Sequence, residues 1–415
     1  MTKLNFNNAT VKGMLDSLKI LSGKDAKCYI MAGDKAVEDK LPVTFVNTED
    51  RSQHIFCKAA DAPSDLAEGE EYISIAVKTA TLVKILSVFA EFNADVAILS
   101  EGGKYYISTN GKAKTPLEVM SVTEEDKASF IKPSGEGSVA KASVSSEVFA
   151  SLIRKGATSV DTEKETTNGA ENICIKLNGE EISASSIDGT KVSFASQKCQ
   201  VQYTEEGKKE VTVGIKYNGL KQLQTLVSGA KKINLTFGVK NLFISTENRE
   251  CLSIGLAQKV MPGETFLSKL LPEATLGKAV VDKDEILTGL KTVLSLSDTS
   301  KGICLTFGNG NVNISNAGTE ILVKLVASEG DLNGEYYYSG KFLQMLCNAL
   351  DSGNIQMAIK GTQQRPMLFL KNEKGAAMSL LMPVNPGKKE ETAAKKKKKE
   401  KAEETAEDTS VEDAE

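Results

Sequence analysis

Histidine occurs once in the 415 residues, as His54 in the run SQHIFCK, so no second imidazole is present to complete a metal site. A lone histidine on an alternating strand reads as structural rather than as a base. Seven cysteines (Cys28, Cys57, Cys174, Cys199, Cys251, Cys304 and Cys347) are scattered with no C-x-x-C pair, most of them in apolar runs such as CYIM, ICIKL and ICLTF. That pattern predicts buried free thiols in a reducing cytoplasm, not a metal cluster or a disulfide framework. The chain holds no G-x-x-x-x-G-K-[ST] phosphate loop and no G-x-S-x-G nucleophile turn. Carboxylates are plentiful, with 55 Asp and Glu, yet nothing in their spacing singles out an acid/base pair. The expectation is a protein without an active site, a cofactor or a metal.

Stepping outward to the elements, one unit recurs six times. A short β-rich run leads into a polar starter and then an apolar stripe at spacing three to four. The six copies are LNFNNATVKGMLDSL, IAVKTATLVKILSVF, ASVSSEVFASLIRKG, VGIKYNGLKQLQTLV, AVVDKDEILTGLKTVL and YYYSGKFLQMLCNAL. Helix starts are expected at Thr10, Thr79, Ser145, Asn218, Asp282 and Ser339, whose side-chain oxygens can accept from the free N–H groups of a first turn. Between the helices lie alternating segments joined by Gly or Asn turns, such as VAILSEGGKYYIST, INLTFGVKNLFIST and ICLTFGNGNVNIS. In the second of these Ile233, Leu235 and Phe237 share one face, as in a sheet half-covered by a helix. Stripes such as Leu82–Ile85–Leu86–Phe89 and Leu220–Leu223–Val227 would supply the cover.

Pairing the units predicts an α+β fold of three tandem domains, at 1–125, 138–260 and 272–386. The linkers between them, SVTEEDKASFIKPSGEGSVA and QKVMPGETFLSKLLPEATLGK, fall where an even number of units is complete. Residues 387–415 follow as a Lys/Glu-rich tail with eight lysines, ten acids and one β-branched apolar residue, Val411. Such a composition cannot bury enough surface to offset ordering, so disorder is expected. The lysine run at 395–399 reads as part of a solvated charged tail, with an arm that touches DNA as the sharper alternative. No apolar run approaches the roughly 18–20 residues of a membrane span, and the first residues carry no export pattern, which points to the cytoplasm.

At this point the sequence resembles a known family, the bacterial sliding clamps, beta subunits of the replicative DNA polymerase. The resemblance covers roughly residues 1–386 and is strongest in the last third. It is carried by LLPEATLGKAVVDKDEILTGLKTVLSLSD, by YYYSGKFLQMLCNALDSGNIQMAIKG with QQRPMLFL, and by the closing SLLMPV. The family's A-T-D-G-x-R-L turn is represented by SSIDGTKV, residues 185–192, with Lys191 at the basic position and Ile187 before the Asp. The resemblance implies a head-to-tail homodimer, six domains around duplex DNA with helices lining the hole. It implies binding without sequence preference, and a DNA polymerase and a clamp loader as partners that insert short apolar peptides into a cleft. The positions matching that cleft are Ile187, Gly189 and Val192, Phe266 and Leu270 of the second linker, and Phe342, Pro366, Leu380, Met382, Pro383 and Val384. The implied ring contact joins Leu117 to Leu294 and Leu296.

The helix faces offer Lys12, Lys19, Lys78, Lys84, Arg154, Lys155, Lys221, Lys291 and Lys341, readable as a DNA lining or as ordinary solvated faces. The whole chain carries −4, and without the tail's eight lysines and ten acids the body carries about −2. A tight phosphate-neutralising binder would be far more basic, whereas a ring retained by topology needs only weak contacts that permit sliding. Two other readings stand beside the clamp. One is a clamp-like interaction scaffold that does not encircle DNA; the other is an enzyme with a carboxylate site between domains, for which no motif is present.

Overall fold

A computed structural model of the chain describes residues 2–20, 25–32, 40–48, 53–63, 73–109, 113–130, 137–161, 169–216, 230–246, 251–270, 274–296, 302–351, 353–372 and 377–385. The helix expected from Asn218, with its stripe and Lys221, and the tail at 387–415 lie outside the described residues. The chain divides into two compact units. The first comprises Met1–Ser151, Lys176–Ile182 and Lys198–Gln258; the second comprises Leu152–Ile175, Ser183–Gln197 and Lys259–Glu415.

Five of the six recurring helices are described: α1 (Asn8–Ile20), α2 (Thr79–Glu91), α4 (Ser146–Gly156), α6 (Lys283–Leu296) and α7 (Gly340–Ala349). Three begin as their polar starters require. The Ser145 hydroxyl accepts from Val148 N at 3.3 Å, and the Ser339 hydroxyl from Phe342 N at 3.5 Å. Asp282 Oδ1 accepts from both Asp284 N and Glu285 N, at 2.9 and 3.0 Å. Asp282→Ala removes both acceptors and a favourable charge at the N-terminus of α6. It is expected to cost about 1–2 kcal/mol, read as a lower thermal midpoint that Asp282→Ser largely restores.

One expected start moves, and another keeps its place with a different role for its side chain. Helix α1 begins earlier than Thr10, because the Asn7 side chain already accepts from Thr10 N at 2.8 Å. Thr79 does open α2, but its buried hydroxyl donates to Asn47 Oδ1 at 2.7 Å and serves the core instead of the cap. Two short helices also stand where linkers were expected. Helix α3 (Glu124–Ser129) is closed by a reciprocal box in which Thr123 Oγ1 accepts from Asp126 N while Asp126 Oδ2 accepts from Thr123 N, both at 3.1 Å. Helix α5 (Gly263–Leu270) starts after Pro262, and its first N–H donates to Ser185 Oγ at 3.0 Å.

In the first unit, ten strands form one sheet in the order Gln200–Tyr203, Ser138–Ser145, Lys232–Gly238, Asn241–Thr246, Cys251–Gly255, Gln53–Pro63, Lys40–Thr48, Lys27–Ala32, Ser74–Lys78 and Met120–Ser121. Ile233, Leu235 and Phe237 are buried while Lys232 and Asn234 are exposed, as the alternation requires. Leu82, Leu86 and Phe89 of α2 join Val11, Met14 and Leu18 of α1 in one core. Burial of each such side chain contributes about 1.5–3 kcal/mol.

In the second unit, strands run side by side in the order Lys191–Lys198, Met378–Leu381, Arg365–Asn372, Asn354–Thr362, Thr275–Asp282, Thr319–Gly330, Asn311–Asn316, Ile303–Gly308 and Glu335–Tyr338. The Asn311–Asn316 hairpin turns through Asn309 and Gly310, both at positive φ (+50° and +72°), the backbone that an Asn-Gly turn supplies at least cost. Among the described residues no helix is long and apolar enough to cross a membrane, and no group of three or more His, Cys, Asp or Glu could hold a metal ion.

Candidate functional site

In the second unit, a set of polar and apolar groups grows from the turn at 187–192. Asp188 organises it. Its Oδ1 accepts from Thr190 N at 2.9 Å, from the Thr190 hydroxyl at 2.8 Å and from Lys191 N at 2.9 Å, while its Oδ2 is paired with the Lys191 ammonium. Gly189 sits between them at φ +85°, a conformation that disfavours any side chain. The Asp188 and Lys191 side chains are only 9% and 4% exposed, so this ion pair is buried and held by hydrogen bonds. The Lys191 ammonium also lies 4.5 Å from the centre of the Phe342 ring, close enough for a cation–π attraction.

Strand pairing then brings the chain's far end to this turn. Lys191 and Val192 stand opposite Leu381 and Leu380, and beyond the strand Met382 N donates to Thr190 O at 2.8 Å. Val384 N donates to Tyr337 O at 2.9 Å, which fixes the segment as it leaves the sheet. The result is one apolar cluster. Ile187, Val192, Leu267, Met367, Phe369 and Leu380 form its buried layer; Phe194, Met261, Leu270, Met378 and Met382 pack on it half-buried. Phe266 is exposed beside it on α5, and Phe342, Pro383 and Val384 are half-buried. Four methionines in the cluster give a surface that can repack around differing side chains.

The eleven cleft positions thus separate into two groups. Ile187, Val192, Leu380 and Pro366 are buried, and the Pro366 carbonyl accepts from the Tyr338 hydroxyl at 2.8 Å. Gly189, Phe266, Leu270, Phe342, Met382, Pro383 and Val384 retain exposure. Sequence reasoning missed Phe194 and Met378, which face each other across the strand pair. Period-two alternation from Val192 and Leu380 would have found both. It also missed Met261, Met367 and Phe369, which only the sheet order brings to the cluster.

Among the cations expected on helix faces, Lys12, Lys19, Lys78, Lys84, Arg154, Lys291 and Lys341 are exposed, although Lys78 ends the strand before α2 and Lys12 Nζ donates to Asn93 Oδ1 at 2.9 Å. Lys155 is a correction. It is buried and paired with Asp351 at 2.6 Å, so it ties the end of α4 to the segment after α7 and is withdrawn from any lining. Nearby, the Lys283 ammonium caps the last carbonyls of α7, at Asn348 and Leu350, and burial together with Arg154 holds its pKa below the usual lysine range. Leu117 is the second correction. It lies in its own unit's core, whereas Leu294 is half-buried and Leu296 is exposed at the end of α6. Among the thiols, burial pushes Cys347 up to about 12, and burial followed by Glu181 pushes Cys199 up to about 11. Both stay protonated at neutral pH and are poor nucleophiles.

No protein-family model matches the chain, and no curated protein matches its sequence. Solved structures do. A DNA polymerase sliding clamp from Bacillus subtilis superposes with a TM-score of 0.75 at 16% identity, over 92% of this chain and 99% of that one. The beta subunit of DNA polymerase III from Thermotoga maritima gives 0.72 at 14% identity, over 93% and 100%. A Pseudomonas aeruginosa sliding clamp bound to griselimycin gives 0.73 at 14% identity, over 92% and 99%. At these identities the likeness is one of fold: the chain has the mixed helix and antiparallel-sheet architecture of the sliding clamps.

Proposed function

We propose that the chain is a DNA sliding clamp, a non-catalytic cytoplasmic processivity factor that encircles duplex DNA as a homodimer and tethers a polymerase and other replication proteins. The observation that carries this reading is a fold likeness spanning 92–93% of the chain and 99–100% of the sliding clamps it matches. Three domains at 1–125, 138–260 and 272–386 would come twice, giving the six that a ring needs. The exposed lysines and Arg154 on α1, α2, α4, α6 and α7 suit weak phosphate contacts. Leu294 and the exposed Leu296 offer one side of a ring contact. The apolar cluster around Val192 and Leu380 suits a short apolar peptide.

Retention on DNA tests the reading. Protein loaded onto nicked circular DNA by a clamp loader and passed through a gel-filtration column is expected to co-elute with it. Linearising the circle is expected to shorten retention by about tenfold or more, because a topological link has no counterpart in phosphate affinity. Equal loss from circle and linear duplex would refute encirclement and favour an interaction scaffold, as would a strict monomer in light scattering.

A further inference from the structure

Among the described residues Phe92 is the most exposed of the large apolar side chains, at 75%, yet its backbone is tightly held. It directly follows α2, and Asn93 after it takes the left-handed conformation (φ +49°) that closes a helix. Asn93 N donates to Ala90 O at 3.2 Å and Ala94 N to Phe89 O at 3.3 Å. The start of α1 clasps the same turn: Asn8 N donates to Asp95 Oδ1 at 2.9 Å, Asn8 Nδ2 to Ala94 O at 3.5 Å and Lys12 Nζ to Asn93 Oδ1 at 2.9 Å. A phenyl ring on a turn so fastened is presented outward, and it leaves unburied an area that folding would otherwise use.

The ring has neighbours of two kinds. Val88, one turn earlier on the same face of α2, is 48% exposed, and Lys84 precedes it by another turn. The exposed charges on α1, α2 and this turn are Lys12, Lys19 and Lys84 against Asp16, Glu91 and Asp95, so they cancel. A duplex turns its phosphates outward and hides the faces of its bases, and a surface without net charge attracts it little. Single-stranded DNA offers base faces, which an aromatic ring takes up whatever the sequence, while a few cations suffice for the phosphates between them. Lys12, bonded to the residue beside Phe92, and Lys84 are placed to supply those contacts.

From this arrangement we propose that Phe92, backed by Val88 and flanked by Lys12 and Lys84, is a stacking point for the unpaired bases of single-stranded DNA. The proposal rests on the DNA-encircling reading above and adds the form of the strand that this turn meets. On a primed template, the occupant is the unpaired template strand beyond the end of the primer. Stacking on the ring is indifferent to salt, whereas the two lysine contacts are screened, so the ring carries a growing share of the binding as salt rises.

The test uses the full chain, which contains no tryptophan, so Phe92→Trp places a single fluorescent reporter at the turn. A single-stranded oligothymidylate of about 16 nucleotides is expected to quench it by about half, and a duplex of equal length by less than about a tenth. Phe92→Ala is expected to weaken binding of the single strand about fivefold to tenfold, and Phe92→Leu, which keeps apolar bulk without a ring, by nearly as much. Lys12→Gln combined with Lys84→Gln is expected to lower the salt slope of single-strand binding by about one. Equal quenching by strand and duplex would overturn the proposal, because the ring would then be meeting sugar or groove. Unchanged single-strand affinity in Phe92→Ala would overturn it too, and full affinity in Phe92→Leu would replace stacking by simple apolar contact. Retention of the unaltered chain on circular duplex reports encirclement separately: its loss with quenching intact would sink that reading and leave the stacking point standing.

Discussion

Gly156→Ala is expected to destabilise the protein by about 2–3 kcal/mol, although the substitution improves helix propensity. A Cβ at Gly156, the last residue of α4, would stand 2.6 Å from the Ala184 carbonyl carbon, carbonyl oxygen and Cβ. Two of those atoms are backbone, so no rotamer change relieves the clash. Overpacking of this kind costs about 1–3 kcal/mol, and here the approach is too close for the lower figure. The propensity gain of about 1 kcal/mol offsets only part of it. The site is also stitched by hydroxyls: Ser186 Oγ donates to Gly156 O at 2.6 Å and accepts from Ser159 N at 3.0 Å. Ser159 and Ser193 meet through their hydroxyls at 2.7 Å. Gly13 in α1 is the internal control, because nothing lies within 4 Å of its Cβ position. Gly13→Ala should raise the thermal midpoint and Gly156→Ala should lower it. A rise for both would show that the close approach does not resist change.

Those two glycines show where sequence reasoning succeeds and where it stops. Both occur in segments identified as helices from periodicity, and neither carries any local mark of what faces it. Information confined to neighbouring residues was readable: the caps at Ser145, Asp282 and Ser339, the Asn-Gly and Gly-Gly hairpins, and the alternation of Ile233, Leu235 and Phe237. The short helices α3 and α5 were also written locally, in T-E-E-D and in the Pro262 start, but their charge and their Pro and Gly content resembled linkers.

What sequence alone did not supply was burial that depends on distant partners. Lys155 belongs by spacing with the exposed cations of α4, yet Asp351, 196 residues later, draws it inside. The cluster's buried floor behaves in the same way. Met367 and Phe369 reach it because Arg365–Asn372 pairs with Met378–Leu381, an adjacency set by the sheet as a whole. The turn at 187–192 was found by resemblance to the clamps, and its chemistry is still accessible to simple substitution.

Asp188→Ala should have the largest effect of any single change in that turn, about 3–5 kcal/mol. It leaves the Lys191 ammonium almost wholly buried without its counter-ion, and it removes the acceptor for Thr190 N, Thr190 Oγ1 and Lys191 N together. The Phe342 ring 4.5 Å from that ammonium offsets only about 1–2 kcal/mol of the lost attraction. Asp188→Asn keeps one acceptor oxygen and should cost roughly half as much. Lys191→Met removes the buried charge and keeps the chain length, so the double variant should recover part of the stability lost in Asp188→Ala. A double-mutant cycle should therefore return a coupling of about 1–3 kcal/mol. Binding should follow, because Thr190 O holds Met382 N and thereby the outer wall of the cluster. Apolar peptide affinity should fall about tenfold in Asp188→Ala and recover in the double variant. Strictly additive stability losses would mean that the ion pair is incidental to the turn. Unchanged peptide affinity in a folded Asp188→Ala protein would mean that the peptide docks elsewhere.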